Sequence, residues 1–225
     1  MQEEVKRENE LLSLSLVVGF VAAVAALIFL AWLTDEVLEG DSQHFDEATR
    51  LAVHEFASPA MTQVMRGISF LGSSLSLTLL TAGVIAWFLL RKWKREAKLF
   101  AVTMIGASLL NTTLKLVFKR PRPVPYFNLL MPETYSFPSG HSLASCCFFG
   151  ALAALVSARI ESKRKRVVLW TFAVVMFLLI GLSRIYLGVH YTTDVLAGFS
   201  AALIWIMVVR FVELQLARRK RRARV

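Results

Sequence analysis

Two uninterrupted runs of uncharged residues, Leu11–Leu33 and Ile68–Leu90, constrain this chain most. Each is 23 residues long, and a helix needs about 20 residues to cross a hydrocarbon core. Backbone in hydrocarbon must satisfy its own hydrogen bonds, so these runs read as transmembrane helices. The first is too long for a signal-peptide core and has no convincing small-residue cleavage site, so it reads as a retained anchor. Four further stretches follow the same logic: Leu99–Phe118, Ser142–Ala158, Val167–Ser183 and Tyr191–Val212. Their charge-free cores are shorter, because their ends carry polar groups. The expectation is an all-α, polytopic membrane protein, a six-transmembrane-helix bundle in one domain over residues 1–225. The composition agrees, at 56% hydrophobic and only 19% charged.

The cations are unevenly placed. Nineteen of the 26 Lys and Arg fall in the N-terminus, the turns 91–98 and 159–166, and the C-terminal stretch from Arg210 onward. The other seven are Arg50, Arg66, Lys115, Lys119, Arg120, Arg122 and Arg184. Positive charge stays in the cytosol, which predicts cytosolic termini and a basic cytosolic tail over 213–225. A net charge of +10 would suggest nucleic acid in a soluble protein. Distributed in this way it reads as a topology signal and as attraction to anionic inner-leaflet lipids, with no nucleic-acid partner.

Residues 34–67 form an acidic segment between the first two spans. Asp41-Ser42 is placed to cap a helix carrying Phe45, Ala48, Ala52 and Phe56. Ser58-Pro59 breaks that helix, and Met61, Val64, Met65 and Ile68 continue as a second amphipathic piece. This amphipathic outer segment is expected at the membrane surface or against the mouth of a site. His44 and His54 read as exposed. Cys146 and Cys147 are adjacent inside an apolar run and read as buried small hydrophobes rather than a disulfide.

Three polar blocks lie within 115–194, all on the predicted outer face. A charge within a spanning segment is costly and marks a functional candidate. The first block, Lys115 to Pro123, offers Lys115 as a compact charge and Arg122 as a planar fork for phosphate oxygens. Lys119 and Arg120 read as facing water. In the second, Pro138-Ser139-Gly140-His141, Ser139 suits an N-cap and Gly140 lets the backbone approach a ligand. Free amides at a helix start bind anions, and His141 would stand beside a bound phosphate as a proton donor. In the third, Ser183 to Asp194, His190 and Asp194 are four apart at a helix start and share a face. The carboxylate would hold one ring nitrogen and aim the other outward, as a nucleophile or base. Arg184 adds a third cation. Together the blocks suit a phosphate ester cut by a histidine. No acidic cluster suited to a metal lies nearby, so no metal cofactor is expected.

The ordered triplet K-x6-R-P, P-S-G-H and S-R-x5-H-x3-D resembles the type-2 phosphatidic acid phosphatase superfamily, which shares its site with vanadium haloperoxidases. The resemblance covers roughly residues 68–212 and every motif position is filled. It implies His190 as nucleophile, Asp194 as its partner and His141 as acid. Lys115, Arg122, Arg184, Ser139 and Gly140 would hold the phosphate. It also implies a membrane lipid phosphate or diphosphate as substrate, such as phosphatidylglycerophosphate, phosphatidate or undecaprenyl diphosphate. Vanadate-dependent oxidation and a non-catalytic lipid-binding scaffold are the alternatives. A scaffold would be expected to have lost one of the histidines.

Overall fold

The computed structural model describes residues 2–222, which form eight helices and no strand. Positions 1 and 223–225, and the side chains of 2–18, 218 and 220–222, lie outside that description. The charge-bias reading of Lys6, Arg7 and the end of the 213–225 tail therefore rests on sequence alone. The helices are α1 (Gln2–Glu39), α2 (Ser42–His54), α3 (Pro59–Leu71), α4 (Ser74–Leu90), α5 (Lys94–Phe118), α6 (Gly140–Ser157), α7 (Lys163–Tyr186) and α8 (Thr192–Arg222).

Five helices are long and apolar enough to cross a membrane, and α3 with α4 makes a sixth span if counted together. That pair departs from the straight span expected over Ile68–Leu90, because it bends by 51° at Gly72-Ser73. Ser73 accepts a hydrogen bond from the Ser76 amide at 3.2 Å and so starts a new helix. Gly72 has a packing reason. A Cβ there would lie 2.4 Å from Ile180 on α7 and 3.2 Å from the His141 ring. The break thus brings backbone directly against the site.

α6 is the central helix, packing on α5, α7 and α8, while α1 packs on α8. More than half of its apolar window is buried in protein, against a third or less for the other single-helix spans. Cys146 and Cys147 are free and buried, as the apolar run predicts. At the end opposite the site, buried Glu96 accepts from Arg159 at 2.7 Å, and Glu213 pairs with Arg95 and Arg210. The site end gathers α2, the loop 119–139 and the turn 187–191.

The acidic segment folds as two helices broken at Ser58-Pro59, and Ser58 caps α3 through the Met61 amide at 3.2 Å. Asp41, however, makes no side-chain cap to α2, because its backbone is already helical. α2 also faces the opposite way from a helix on a soluble core. Its buried positions are polar, Ser42, Asp46 and Arg50. Phe45, Ala48, Ala52 and Phe56 are exposed.

Candidate active site

His190 precedes α8 by two residues rather than lying in its first turn. Asp194, in the first turn of α8, still reaches it, with His190 Nδ1 3.2 Å from Asp194 Oδ2. Asp194 Oδ2 also accepts from the Tyr191 amide at 2.9 Å and from the Ser136 hydroxyl. On its other side His190 Nε2 lies 3.0 Å from Arg122 Nη1. A guanidinium can only donate, so Nε2 must accept. That leaves the proton on Nδ1, facing Asp194. Burial pushes the His190 pKa from 6.5 down to about 3; Asp194 pulls upward and Arg122 and Arg184 push down. The ring is neutral, with one lone pair directed at a cation.

The cations converge on the same space. Lys115, Arg122, His141, Arg184 and His190 all line one cavity of about 710 Å³. Its other wall runs along Leu77 of α4, Met104 and Ile105 of α5, and Ala144 of α6. From Lys115 to Met104 this groove descends about 16 Å, at 1.5 Å per helical residue. Lys115 donates to the backbone oxygens of Tyr135 and Ser136. Arg122 donates to Thr134 O at 2.6 Å and Val189 O at 2.8 Å. Arg184 donates to Ser69, while its buried Nε has no partner among the described residues. The Asn111 Oδ1, one turn below Lys115 and also lining the cavity, is likewise buried without a partner. Such orphans in a polar cavity mark where a ligand or water is needed.

The P-S-G-H block divides in two. Ser139 is fully buried, and its hydroxyl caps α6 by accepting from the Ser142 amide at 3.4 Å and hydroxyl at 2.9 Å. It therefore stands behind the cavity wall. Gly140 lies in the wall, and the group above it is the Asn111 amide, 3.0 Å from where a Cβ would be. His141 follows on the cavity side.

Two sequence expectations fail here. Lys119 faces out as predicted, but Arg120 does not face water: its side chain is only 13% exposed. Its Nη1 donates to Asp194 Oδ1 at 2.7 Å and its Nη2 to Asp46 Oδ2 at 2.8 Å. Burial opposes its charge, but Asp194 and Asp46 outweigh that and raise its pKa. Asp46 is fully buried and also accepts from the Thr193 amide at 2.9 Å and hydroxyl at 2.6 Å. Sequence reasoning missed this carboxylate. The available signal was an acidic helix and a basic loop assigned to one side of the membrane. His44 is exposed as expected. His54 is not; it stacks on Tyr126 with centroids 4.0 Å apart.

The fold and the cavity define a multi-pass membrane protein with a cation-ringed histidine site opening into an apolar groove. Comparison with known proteins names the group. The PAP2 superfamily model matches residues 96–216, and the chain belongs to that superfamily. Phosphatidylglycerophosphatase B of Bacillus subtilis is 33% identical over 191 residues, covering 83% of this chain and 92% of that protein. An undecaprenyl-diphosphatase of Sulfolobus acidocaldarius is 31% identical over 119 residues, 49% of this chain and 53% of that one. The crystal structure of a transmembrane PAP2-type phosphatidylglycerolphosphate phosphatase from Bacillus subtilis superposes with a TM-score of 0.79 at 30% identity. It covers 86% of this chain and 96% of that one. Aquifex aeolicus LpxE gives a TM-score of 0.57 at 25% identity, covering 73% and 94%. The chain is a membrane enzyme of the phosphatase class, with the all-helical architecture of these relatives.

Proposed function

We propose that this protein hydrolyses the phosphate or diphosphate of a membrane lipid at the outer leaflet, through a phosphohistidine on His190. The observation that carries the reading is the His190 environment: Nδ1 held by Asp194 and Nε2 turned toward Arg122 in the cation-ringed cavity. Substrate oxygens compete for the Arg122 donors, and the Nε2 lone pair is released onto phosphorus. The bond between Nε2 and phosphorus forms while the bond from phosphorus to the lipid oxygen breaks, in line. The bound phosphate dianion favours the protonated form of His141, which gives that proton to the oxygen, and the lipid leaves as an alcohol or a monophosphate. Water then attacks phosphorus, His141 takes the water proton, and inorganic phosphate departs with His190 restored. Lys115, Arg122 and Arg184 balance the charge on the phosphoryl oxygens throughout. Gly140 offers backbone at the start of α6, and the Asn111 amide lines the same cavity.

The groove between α4 and α5 supports a lipid that approaches sideways, with its chain among Leu77, Met104 and Ile105. The charge bias supports a site facing outward and cytosolic termini. The relatives' names support the substrate class: phosphatidylglycerophosphate, undecaprenyl diphosphate and, for a Rhizobium etli relative 30% identical over 144 residues, the lipid A 1-phosphate. The test is phosphate release by purified protein with EDTA present. The panel is undecaprenyl diphosphate, phosphatidylglycerophosphate, phosphatidate and a water-soluble phosphoester. Release from at least one lipid is expected, and its ranking identifies the substrate. Absence of release from all three lipids would overturn the reading.

A further inference from the structure

The helix α2 lies outside the residues that define the family, 96–216, yet it supplies a buried carboxylate beside the site. We propose that Asp46 and Arg120 are positioning residues for the Asp194–His190 pair, and that the outer face of the bilayer holds α2 in place through Phe45, Leu51 and Phe56. This rests on the hydrolase reading above and names what orients its nucleophile.

A fully buried charge must be paired and hydrogen-bonded or it is strongly destabilising. Asp46 meets this with three donors: the Thr193 amide and hydroxyl and Arg120 Nη2. The Thr193 amide is among the unpaired donors of the first turn of α8. Asp46 thus caps, from another helix, the helix that carries Asp194. The same carboxylate fixes one arm of Arg120, whose other arm is bound to Asp194 Oδ1. One guanidinium spans two carboxylates, a geometry its planar fork allows and a lysine does not. Tyr191 closes the assembly, with Arg120 4.3 Å from its ring centroid. Thr49 and Thr192 share a further hydrogen bond of 2.6 Å between α2 and α8. Rotation of α2 would move Asp46, then Arg120, then Asp194 and the His190 ring.

The opposite side of α2 says what holds it. Phe45 and Leu51 on α2, and Phe56 in the turn just after it, are 49, 52 and 74% exposed. The helix begins three residues after the spanning α1 ends and is followed, after a four-residue turn, by the bent span α3–α4. An apolar arc at that level, on a helix whose polar arc faces protein, fits the headgroup boundary of the bilayer.

The test uses full-length protein in vesicles of defined phosphatidylethanolamine and phosphatidylglycerol, with a water-soluble phosphoester so that lipid capture is not read. Asp46→Asn is expected to lower kcat by ~10- to 100-fold, the scale set by outer hydrogen-bond partners of metal-bound histidines. KM and inhibition by inorganic phosphate should stay within about two-fold, since Lys115, Arg122 and Arg184 are untouched. Should that variant not fold, Arg120→Lys reads the same link, because it keeps the charge and loses the bridge. Wild-type kcat in the folded variants, or a loss explained by weaker phosphate binding, would overturn the positioning role. Phe45→Asp with Phe56→Asp should lower kcat in vesicles with the protein still monodisperse. Unchanged kcat would overturn the bilayer half, as would a loss accompanied by dissociation of an oligomer, which would assign that face to a second copy. Failure of wild-type protein to release phosphate from any ester tests the hydrolase reading, not this one.

Discussion

Arg122 and His190 hold each other in a resting arrangement. The guanidinium occupies the lone pair that the proposed chemistry needs, and the imidazole is neutral because it is buried. This sets a pH signature. The His190 pKa is about 3 in the folded protein and about 6.5 in an unfolded chain. Between those values the unfolded chain binds the extra proton, so stability falls as pH drops through that window and is full above it. Thermal unfolding in detergent between pH 7.5 and 4.5 should show this loss. His190→Gln, which cannot take the proton, should lose less over the same window. An identical pH dependence in both proteins would contradict the buried neutral histidine. Residue identity also explains what was legible here. Lys115 stood out as a charge inside an apolar run, and Arg122, His141, Arg184, His190 and Asp194 as members of the ordered triplet of polar blocks. Arg120 was not, because a charge in a loop reads as solvated until its partners are known. Its partners, Asp46 and Asp194, are each 74 positions away.

At the scale of elements, two features escaped the sequence for different reasons. The polarity pattern of α2 identifies a two-faced helix but not which face meets protein, since lipid and core are equally apolar. The break between α3 and α4 lies inside a charge-free run, where hydropathy records no change. Gly72 carries the consequence. Gly72→Ala would put a methyl against the buried Ile180 and the His141 ring, at an overpacking cost of about 1–3 kcal/mol. The expected outcome is a lowered thermal midpoint together with a kcat loss. The control Gly83→Ala, inside α4 with nothing within 4 Å of its Cβ, should lower neither. Equal behaviour of the two variants would contradict the contact assigned to the break.

For the whole molecule, the spans and the site were legible because the bilayer imposes them. Hydrocarbon dictates helix length, and a charge within it needs a reason. Six spans alternate direction, so the three polar blocks and α2 reach one end while the cation-rich turns reach the other. The contact between α2 and α8 was not legible, because it joins elements nearly 150 positions apart through polar groups. The result is a membrane bundle ending in a cavity ringed by cations, with α2 hydrogen-bonded to the start of the helix that carries Asp194.

The central claim is that His190 takes the phosphoryl group. The direct measurement is to mix purified protein with a phosphorus-labelled lipid substrate, quench in alkali within the first turnover, and map the label. The account predicts acid-labile label on the peptide containing His190, and neither label nor turnover in His190→Ala. Full phosphate release by His190→Ala, or label on another residue, would contradict it.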